Sequence, residues 1–316
     1  MSTDIAEQKM SDGEHVLHRL GITPEAVPAP SSHRFPDGAH FRIEIPSIEG
    51  PGALAAVVDE SEQRHTVVNR VSQGSGAMLL TRRELAEMAR IGHDEGIEVS
   101  LFVGPRDEWD VGASARSSDG PGFAGRIRGA RQLRYAIEDV HRASEAGIRS
   151  FLVADTGLLE TLAESQRHGE IPSDTVWKVS AYMAPTNPQS FAQLERLGAS
   201  TINVPSDMTL GQLGEIRSVS GLPIDLYVES PDGAGGVVRG PEIADIVPVA
   251  APIYTKFGLR NSRPLYPSGM HLEADVVAIA REKVRRATVA LEWLERSRAD
   301  LVQSAPGAKG LGVPAP

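Results

Sequence analysis

Two patterns of hydrophobic positions alternate along the chain. Short runs in which every second residue is apolar are typical of β-strands, and longer segments with apolar residues every three or four positions are typical of α-helices. Strand-like runs cover residues 41–46, 66–72, 98–104, 149–155, 176–183, 200–205, 223–229 and 252–258, and helical patterns follow them. Because eight βα units close a barrel, whereas open doubly wound sheets usually have about five or six strands, the pattern predicts a (β/α)8 TIM barrel.

The barrel is expected to be a single domain between two tails. The chain has 316 residues, a length that α/β barrels reach as one unit. Residues 1–38 hold a short helical pattern and then a stretch rich in Pro and Ser, which we interpret as an N-terminal extension. Residues 298–316 combine Gly, Pro and Ala without periodic apolar positions and predict a flexible, disordered tail. The barrel itself is then predicted over residues 39–297.

Composition restricts the chemistry and the partners. The net charge of -10 disfavours a nucleic-acid partner, because phosphate binding needs a basic face. The chain contains no cysteine, which excludes disulfides, thiolate nucleophiles and cysteine-ligated iron–sulfur clusters. The charged N-terminal residues and the lack of a long apolar span predict a cytoplasmic protein without membrane contact. The expected partner is a small-molecule substrate. The sequence leaves open whether the chain also forms a homo-oligomer.

Strand alternation predicts a polar barrel axis. In residues 223–229 the apolar positions face the helices, which directs Asp225, Tyr227 and Glu229 inward. The same rule places Arg42, Glu44, Lys178, Tyr182, Asn203 and Lys256 inside the barrel. Unpaired charges there would cost several kcal/mol each, so these groups pair internally, hold an ion or meet a ligand.

The predicted catalytic residues are Glu44, Glu229 and Lys256, because barrel enzymes build their active sites at the carboxyl ends of the strands. A carboxylate beside a lysine can have its pKa tuned for general acid/base work. Internal ion pairing is the alternative role for each. The predicted substrate-binding residues are Gln73, Gly74, Ser75, Gly76, Lys178, Tyr182, Asn203, Tyr227, Arg260 and Asn261.

Loops after the predicted strands supply several of these binding groups. In residues 72–76 the glycines let backbone amides approach a phosphate or carboxylate, although a plain tight turn fits the same residues. Arg260 can grip such an anion with two hydrogen bonds, or it can be a solvated loop arginine. Residues 106–129 form a connection far longer than usual, which predicts a lid.

A metal site is a further hypothesis. Glu44, Asp155, Asp207 and Glu229 are carboxylates near strand ends, and such oxygen ligands suit Mg²⁺ or Mn²⁺. Asp207 also precedes a helical pattern and can serve as its N-cap instead. Spacing along the chain does not choose between these roles.

Residues 176–229 resemble peptidase family U32, a family of TIM-barrel proteins with collagenase-like members. The likeness consists of a strand, an Asn-bearing loop, a helix ending in Leu-Gly, a strand, an acidic turn, a helix and a strand. Residues 256–260, KFGLR, are similar to the family's lysine-and-arginine motif on the last strand. The resemblance implies a TIM barrel with its site at the mouth.

Three features depart from the family pattern. Glu229 stands where a His is usual, Asp207 stands where a Glu is usual, and the cysteine cluster that holds an iron–sulfur centre in some members is absent. The chain is therefore expected to be a divergent, cysteine-less member. The leading hypothesis is a hydrolase or lyase that acts on a small anionic substrate. Whether the reaction uses a divalent metal is left open. A true peptidase and a non-catalytic ligand- or partner-binding barrel are the alternatives.

Overall fold

Eight parallel strands close into a barrel in chain order. The computed structural model describes residues 11–23, 25–105, 117–118 and 125–316. The strands are Phe41–Pro46 (β1), Arg70–Gln73 (β2), Glu98–Phe102 (β3), Ser150–Val153 (β4), Val176–Val179 (β5), Thr201–Asn203 (β6), Ile224–Glu229 (β7) and Ile253–Phe257 (β8). Closure comes from pairing of β8 with β1, in a register that places Lys256 opposite Glu44. The predicted (β/α)8 TIM barrel is confirmed.

A helix follows each strand and covers the outside of the barrel. The helices are Asp12–Arg19 (α1), Pro51–Arg64 (α2), Arg82–Asp94 (α3), Gly129–Glu145 (α4), Thr156–Arg167 (α5), Pro188–Arg196 (α6), Leu210–Arg217 (α7), Ile243–Ala250 (α8) and Glu273–Arg298 (α9). The main core lies between strands and helices, where outward-facing residues such as Ile43, Val71 and Val99 are fully buried. Within the described ranges, every helix is too short or too polar to cross a membrane.

Local sequence signals set several helix ends. Thr81 begins α3 with a capping box, in which its side chain accepts from the Glu84 amide and Glu84 accepts from the Thr81 amide. Thr209 and Gln212 repeat this arrangement at α7. Each capping box satisfies some of the free amides at the start of its helix, so the loops before α3 and α7 enter these helices in a defined direction.

The N-terminal extension runs across the amino-terminal end of the barrel, which we call the floor. Ser31 Oγ donates to the Ala251 carbonyl, and Phe35 is buried with its ring edge against Tyr254, at a centroid distance of 5.3 Å. Helix α1, by contrast, contains no buried residue. The part of the extension that follows α1 therefore belongs to the packing of the barrel.

The carboxyl-terminal residues also cross the floor, which differs from the expected disordered tail. The Gly312 amide donates to Glu98 Oε2 at 3.2 Å, the Lys309 carbonyl accepts from Arg42 Nη2 at 2.8 Å, and the Ala315 amide donates to the Gly147 carbonyl at 2.8 Å. Periodic apolar residues are not needed here, because the segment is held by polar groups at the strand ends. Small residues suit it, since a Cβ on Gly312 would lie 2.9 Å from the Arg149 carbonyl oxygen.

The predicted lid falls largely outside the described residues. Of residues 106–129, the structure describes 117–118 and 125–129. We call the carboxyl ends of the strands and the loops that follow them the mouth. The structure describes the other seven βα loops of the mouth.

Candidate functional site

Arg70 lies at the centre of a buried cluster on the barrel axis. Its Nε and Nη2 donate to Glu44 Oε2 at 2.8 and 2.6 Å. Its Nη2 lies 2.6 Å from Asp225 Oδ1, and its Nη1 lies 3.5 Å from Glu98 Oε1. The Tyr254 ring packs on the guanidinium at 3.4 Å. One arginine from β2 thus joins carboxylates from three other strands.

Two lysines extend this cluster toward the mouth. Lys178 Nζ donates to Glu44 Oε1, and Lys256 Nζ lies 3.6 Å from the same oxygen. Lys256 also donates to Asn203 Oδ1 and lies 4.2 Å from the centroid of the Tyr227 ring. We call Glu44, Arg70, Glu98, Lys178, Asp225 and Lys256 the axial cluster. It contains three carboxylates and three cationic side chains, all of them buried.

Burial and neighbouring charges shift the pKa values of Glu44 and Lys178 in the axial cluster. Burial by itself would raise the pKa of Glu44, but the positive charges of Arg70, Lys178 and Lys256 outweigh burial and hold that pKa well below its usual range. Burial, together with the charge of Arg70, lowers the pKa of Lys178 to about 7. Glu44 is therefore a carboxylate near neutral pH, whereas Lys178 can gain or lose its proton there.

Stability is expected to increase with pH between about 7 and 10.5 because of Lys178, whose pKa falls from 10.5 to about 7 on folding. Within that window the unfolded chain binds more protons than the folded one, and raising the pH then favours folding. Urea unfolding at several pH values measures this slope. The Lys178→Met variant should show a shallower slope. Some slope should remain, because the pKa of Lys283 is also lowered, to about 8, by burial. A wild-type stability that falls or stays level across this window would contradict the assignment.

Glu229 does not join Glu44 and Lys256. The pairing of β7 with β8 shifts register between Tyr227 and Glu229, which is the mark of a β-bulge. Past the shift, Glu229 Oε1 accepts from the Arg260 amide at 3.2 Å, and Glu229 Oε2 lies 3.8 Å from Nε of Arg286 on α9. Strict alternation would have directed Glu229 inward, but the irregular pairing re-aims its side chain.

The loop after β2 holds a side chain of the protein itself. The amides of Gly74 and Ser75 donate to the two oxygens of Glu49 at 2.8 and 3.0 Å. Gln73 and Gly76 bond to each other, since the Gly76 amide donates to Gln73 Oε1 at 2.9 Å. The loop does bind a carboxylate, as glycine-rich turns can. That carboxylate is Glu49, which differs from the expected substrate anion.

The other predicted binding residues lie at different depths in the mouth. Arg260 is exposed, with Nε 3.9 Å from Asp232 Oδ1, and the Asn261 amide donates to Asp232 Oδ2 at 2.7 Å. Tyr182 is 39% exposed on a short 3-10 helix, Ala181–Met183. Tyr227 is partly buried, and Lys256 Nζ lies over its ring. Arg260, Asn261 and Tyr182 are thus the exposed members of this set.

The four carboxylates of the metal hypothesis have separate roles. Glu44 pairs with Arg70 and Lys178, Glu229 has the partners given above, and Asp155 caps α5 by accepting from the Leu158 amide at 3.0 Å. Asp207 is exposed in the loop after β6. In the parts of the chain that the structure describes, no three His, Asp or Glu side chains form a group suited to a metal ion. The expected convergence on Mg²⁺ or Mn²⁺ is therefore not what the geometry favours.

Arg70 and Glu98 are site residues that the sequence analysis did not identify. Both face the axis, as does Ser72, whose Oγ donates to Glu44 Oε1 at 2.7 Å. The signal was present, because Val71 and Val99 are the apolar alternates that face the helices. Strand alternation, applied to β2 and β3 as it was to β7 and β8, predicts both residues.

Comparisons with known proteins bear on the family. The sequence model of Peptidase family U32 matches residues 127–230. No curated protein matches the chain. Similar solved structures include the candidate copper homeostasis protein CutC from Streptococcus agalactiae, which is 14% identical with a TM-score of 0.47 over 68% of this chain and 98% of that one. The U32 peptidase Mk0906 is 20% identical, with a TM-score of 0.38 over 66% of this chain and 73% of its own.

A candidate lyase/mutase from Burkholderia cenocepacia J2315 is 12% identical, with a TM-score of 0.43 over 68% of this chain and 76% of that one. The family match at residues 127–230 includes β4 to β7, and with them Lys178, Asn203 and Asp225. The predicted family resemblance is confirmed: residues 127–230 of this (β/α)8 barrel match the sequence model of peptidase family U32, and the chain contains no cysteine.

Proposed function

We propose that the chain is an enzyme, a lyase or hydrolase, that acts on a small anionic substrate at the mouth of the barrel. Lys256 binds the substrate, and Lys178 changes its protonation when the substrate arrives. The observation that carries the proposal is that both lysines direct Nζ toward one oxygen of Glu44. Arg70 occupies the other oxygen, so three cations share a single carboxylate.

The distribution of charge supports an anion as the ligand. The three carboxylates of the axial cluster balance its three cationic side chains, but Asp225 and Glu98 lie beside Arg70, whereas Lys256 shares Glu44, at 3.6 Å, with two other cations. Lys256 lies on β8 one residue before its carboxyl end, the end at which barrel enzymes bind substrates. In a site shielded from water, an anion next to Lys256 gains more Coulomb energy than it would at the surface.

Lys178 supports proton transfer as part of the reaction. Because its pKa is about 7, a small change in the electrostatic potential at Lys178 Nζ adds or removes a proton near neutral pH. An anion bound at Lys256 raises that pKa, so substrate binding takes up a proton near neutral pH. Lysine chemistry is favoured over metal chemistry, because the side chains that converge are amines. Of the four expected carboxylate ligands, Glu44, Asp155 and Glu229 have other partners, and Asp207 is exposed in a separate loop.

The proposal is tested with lysine variants and a panel of small hydroxy, oxo and phospho acids. We expect turnover of at least one acid by the wild type, and a loss of about a hundredfold or more in kcat/KM for Lys256→Met, which corresponds to about 2.7 kcal/mol of transition-state stabilisation. Lys256→Arg keeps the charge and should retain substrate binding within about tenfold. Lys309→Met is the matched control at an exposed lysine and should behave as the wild type.

Proton uptake is measured separately, by calorimetric titration of the best acid in two buffers that differ in ionisation enthalpy. The wild type should take up protons between about pH 7 and 8, and Lys178→Met should not. Retention of full activity by Lys256→Met would contradict the proposal. So would an absence of binding across the panel.

Peptide hydrolysis is a second candidate, favoured by the family match at residues 127–230. Gelatin and collagen-derived peptides, incubated with and without a chelator, test for it directly. A non-catalytic binding barrel is a third candidate, favoured by the internal pairing of the axial cluster and of Glu49. Saturable binding of an acid from the panel without any turnover would support that third candidate.

A further inference from the structure

A second cavity lies at the floor, at the opposite end of the barrel from the mouth. Its volume is about 280 Å³. One side is formed by residues at the amino ends of strands, and the other by the two chain extensions. The residues at the strand ends include Arg42, Val176, Pro223 and Pro252, and those of the extensions include Phe35 and Gly310. The cavity thus exists only because the N-terminal and C-terminal extensions both fold back on the barrel.

Arg42 supplies the one buried cation of this cavity wall among the residues that the structure describes. Its Nε donates to Ser304 Oγ at 2.9 Å, its Nη1 to Tyr254 Oη at 3.0 Å, and its Nη2 to the Lys309 carbonyl at 2.8 Å. A guanidinium has five N–H donors, so these three bonds leave two N–H groups over. The Phe35 ring packs on the same guanidinium at 4.0 Å.

No carboxylate in the described ranges hydrogen-bonds to Arg42. Its ion pair is with the partly exposed Asp37, whose Oδ1 is 3.9 Å from Nη2, beyond hydrogen-bond distance. Glu98 is engaged by Arg70, by Ser150 at 2.7 Å and by the Gly312 amide. A buried cation is costly when its counterion is this distant, and an anion hydrogen-bonded to Arg42 in the cavity would lower that cost.

We propose that the floor cavity is a second binding site, for a small carboxylate with an apolar body. A carboxylate has two oxygens that can accept from the two remaining N–H groups of Arg42, one on each Nη. The walls away from Arg42 are mainly apolar and include Val176, Pro223 and Pro252, with Ser200 and Thr201 as polar members. At about 30 Å³ for each water-sized group, the volume accommodates roughly nine non-hydrogen atoms. Free phosphate has about five non-hydrogen atoms and would leave nearly half of that space empty.

Binding is tested on the full chain with benzoate and hexanoate as probes. Their amides, benzamide and hexanamide, are the matched uncharged controls. We expect the acids to bind saturably and to raise the unfolding temperature, and we expect the amides to bind at least about tenfold more weakly. Hydrogen exchange locates the bound probe, and protection should increase in residues 31–42 and 304–312. Equal binding of acid and amide, or no saturable binding of either acid, would overturn the proposal.

Two variants separate this site from the mouth. Arg42→Met should weaken binding of the acids at least about tenfold, while Lys256→Met should bind them as the wild type does. If Arg42→Met fails to fold, the acid-to-amide ratio and the location of the exchange protection in the wild type still decide. Protection confined to the loops after β7 and β8, with binding lost in Lys256→Met, would show that the probes occupy the mouth and would refute a floor site. The proposed floor site and the proposed function of the mouth can therefore be refuted independently of each other.

Discussion

Replacement of Glu44 by Gln is expected to destabilise the protein by about 3–5 kcal/mol, the usual cost of removing one partner from a buried ion pair. The neutral amide leaves Arg70, Lys178 and Lys256 close together without their shared carboxylate. Water cannot screen the remaining charges, because all three side chains are buried. Urea unfolding at pH 7 measures the loss of free energy.

A surface carboxylate provides the control for this substitution. Glu87→Gln removes a carboxylate that is exposed and lies 2.9 Å from Arg90, and such a change should alter stability by no more than about 0.5 kcal/mol.

The lowered pKa of Glu44 also predicts that the wild type and Glu44→Gln differ in how their stability changes at acidic pH. Its pKa is depressed on folding, so its contribution is complete above 4.5 and is lost as the pH falls through the folded value. Glu44→Gln should therefore lose less stability than the wild type on acidification below about 4.5, and equal stability of the two proteins at pH 7 would refute the structural role of Glu44.

Deletion of residues 301–316 is expected to cost about 5 kcal/mol. The deletion removes the partners of Arg42 at Ser304 and Lys309 and the partner of Glu98 at Gly312. It also removes hydrogen bonds that link this segment to β1, and hydrogen bonds to charged groups contribute more than the roughly 1 kcal/mol of neutral ones. Thermal unfolding should show a decrease of about 7 °C.

The matched truncation is at the other end of the chain. Removal of residues 1–19 takes away α1, which buries no residue, and should change the unfolding temperature by only a few degrees. If the two truncations had equal small effects, the carboxyl-terminal segment would not contribute to the floor. Loss of the floor should also abolish binding of benzoate, which links this deletion to the cavity.

The contacts of Glu229 and of the loop after β2 could not be predicted from the sequence. The position of Glu229 depends on a bulge in the pairing of β7 with β8, and nothing in residues 223–229 signals a bulge. The amides of Gly74 and Ser75 are occupied by Glu49, which lies on the loop after β1. In both cases the deciding partner is on another strand or loop, so local spacing contains no information about it.

The sequence by itself determined the barrel and the polar character of its axis. Each strand and helix is encoded by its own hydrophobic period, and strand alternation is enough to direct Glu44, Lys178, Asp225 and Lys256 inward. Only the tertiary structure decided which of these charges pair, that Arg42 faces a cavity, and that the terminal segments close the floor. The physical reason is that periodicity acts over neighbouring residues, whereas ion pairing and cavity formation depend on distances between residues that are far apart in the chain.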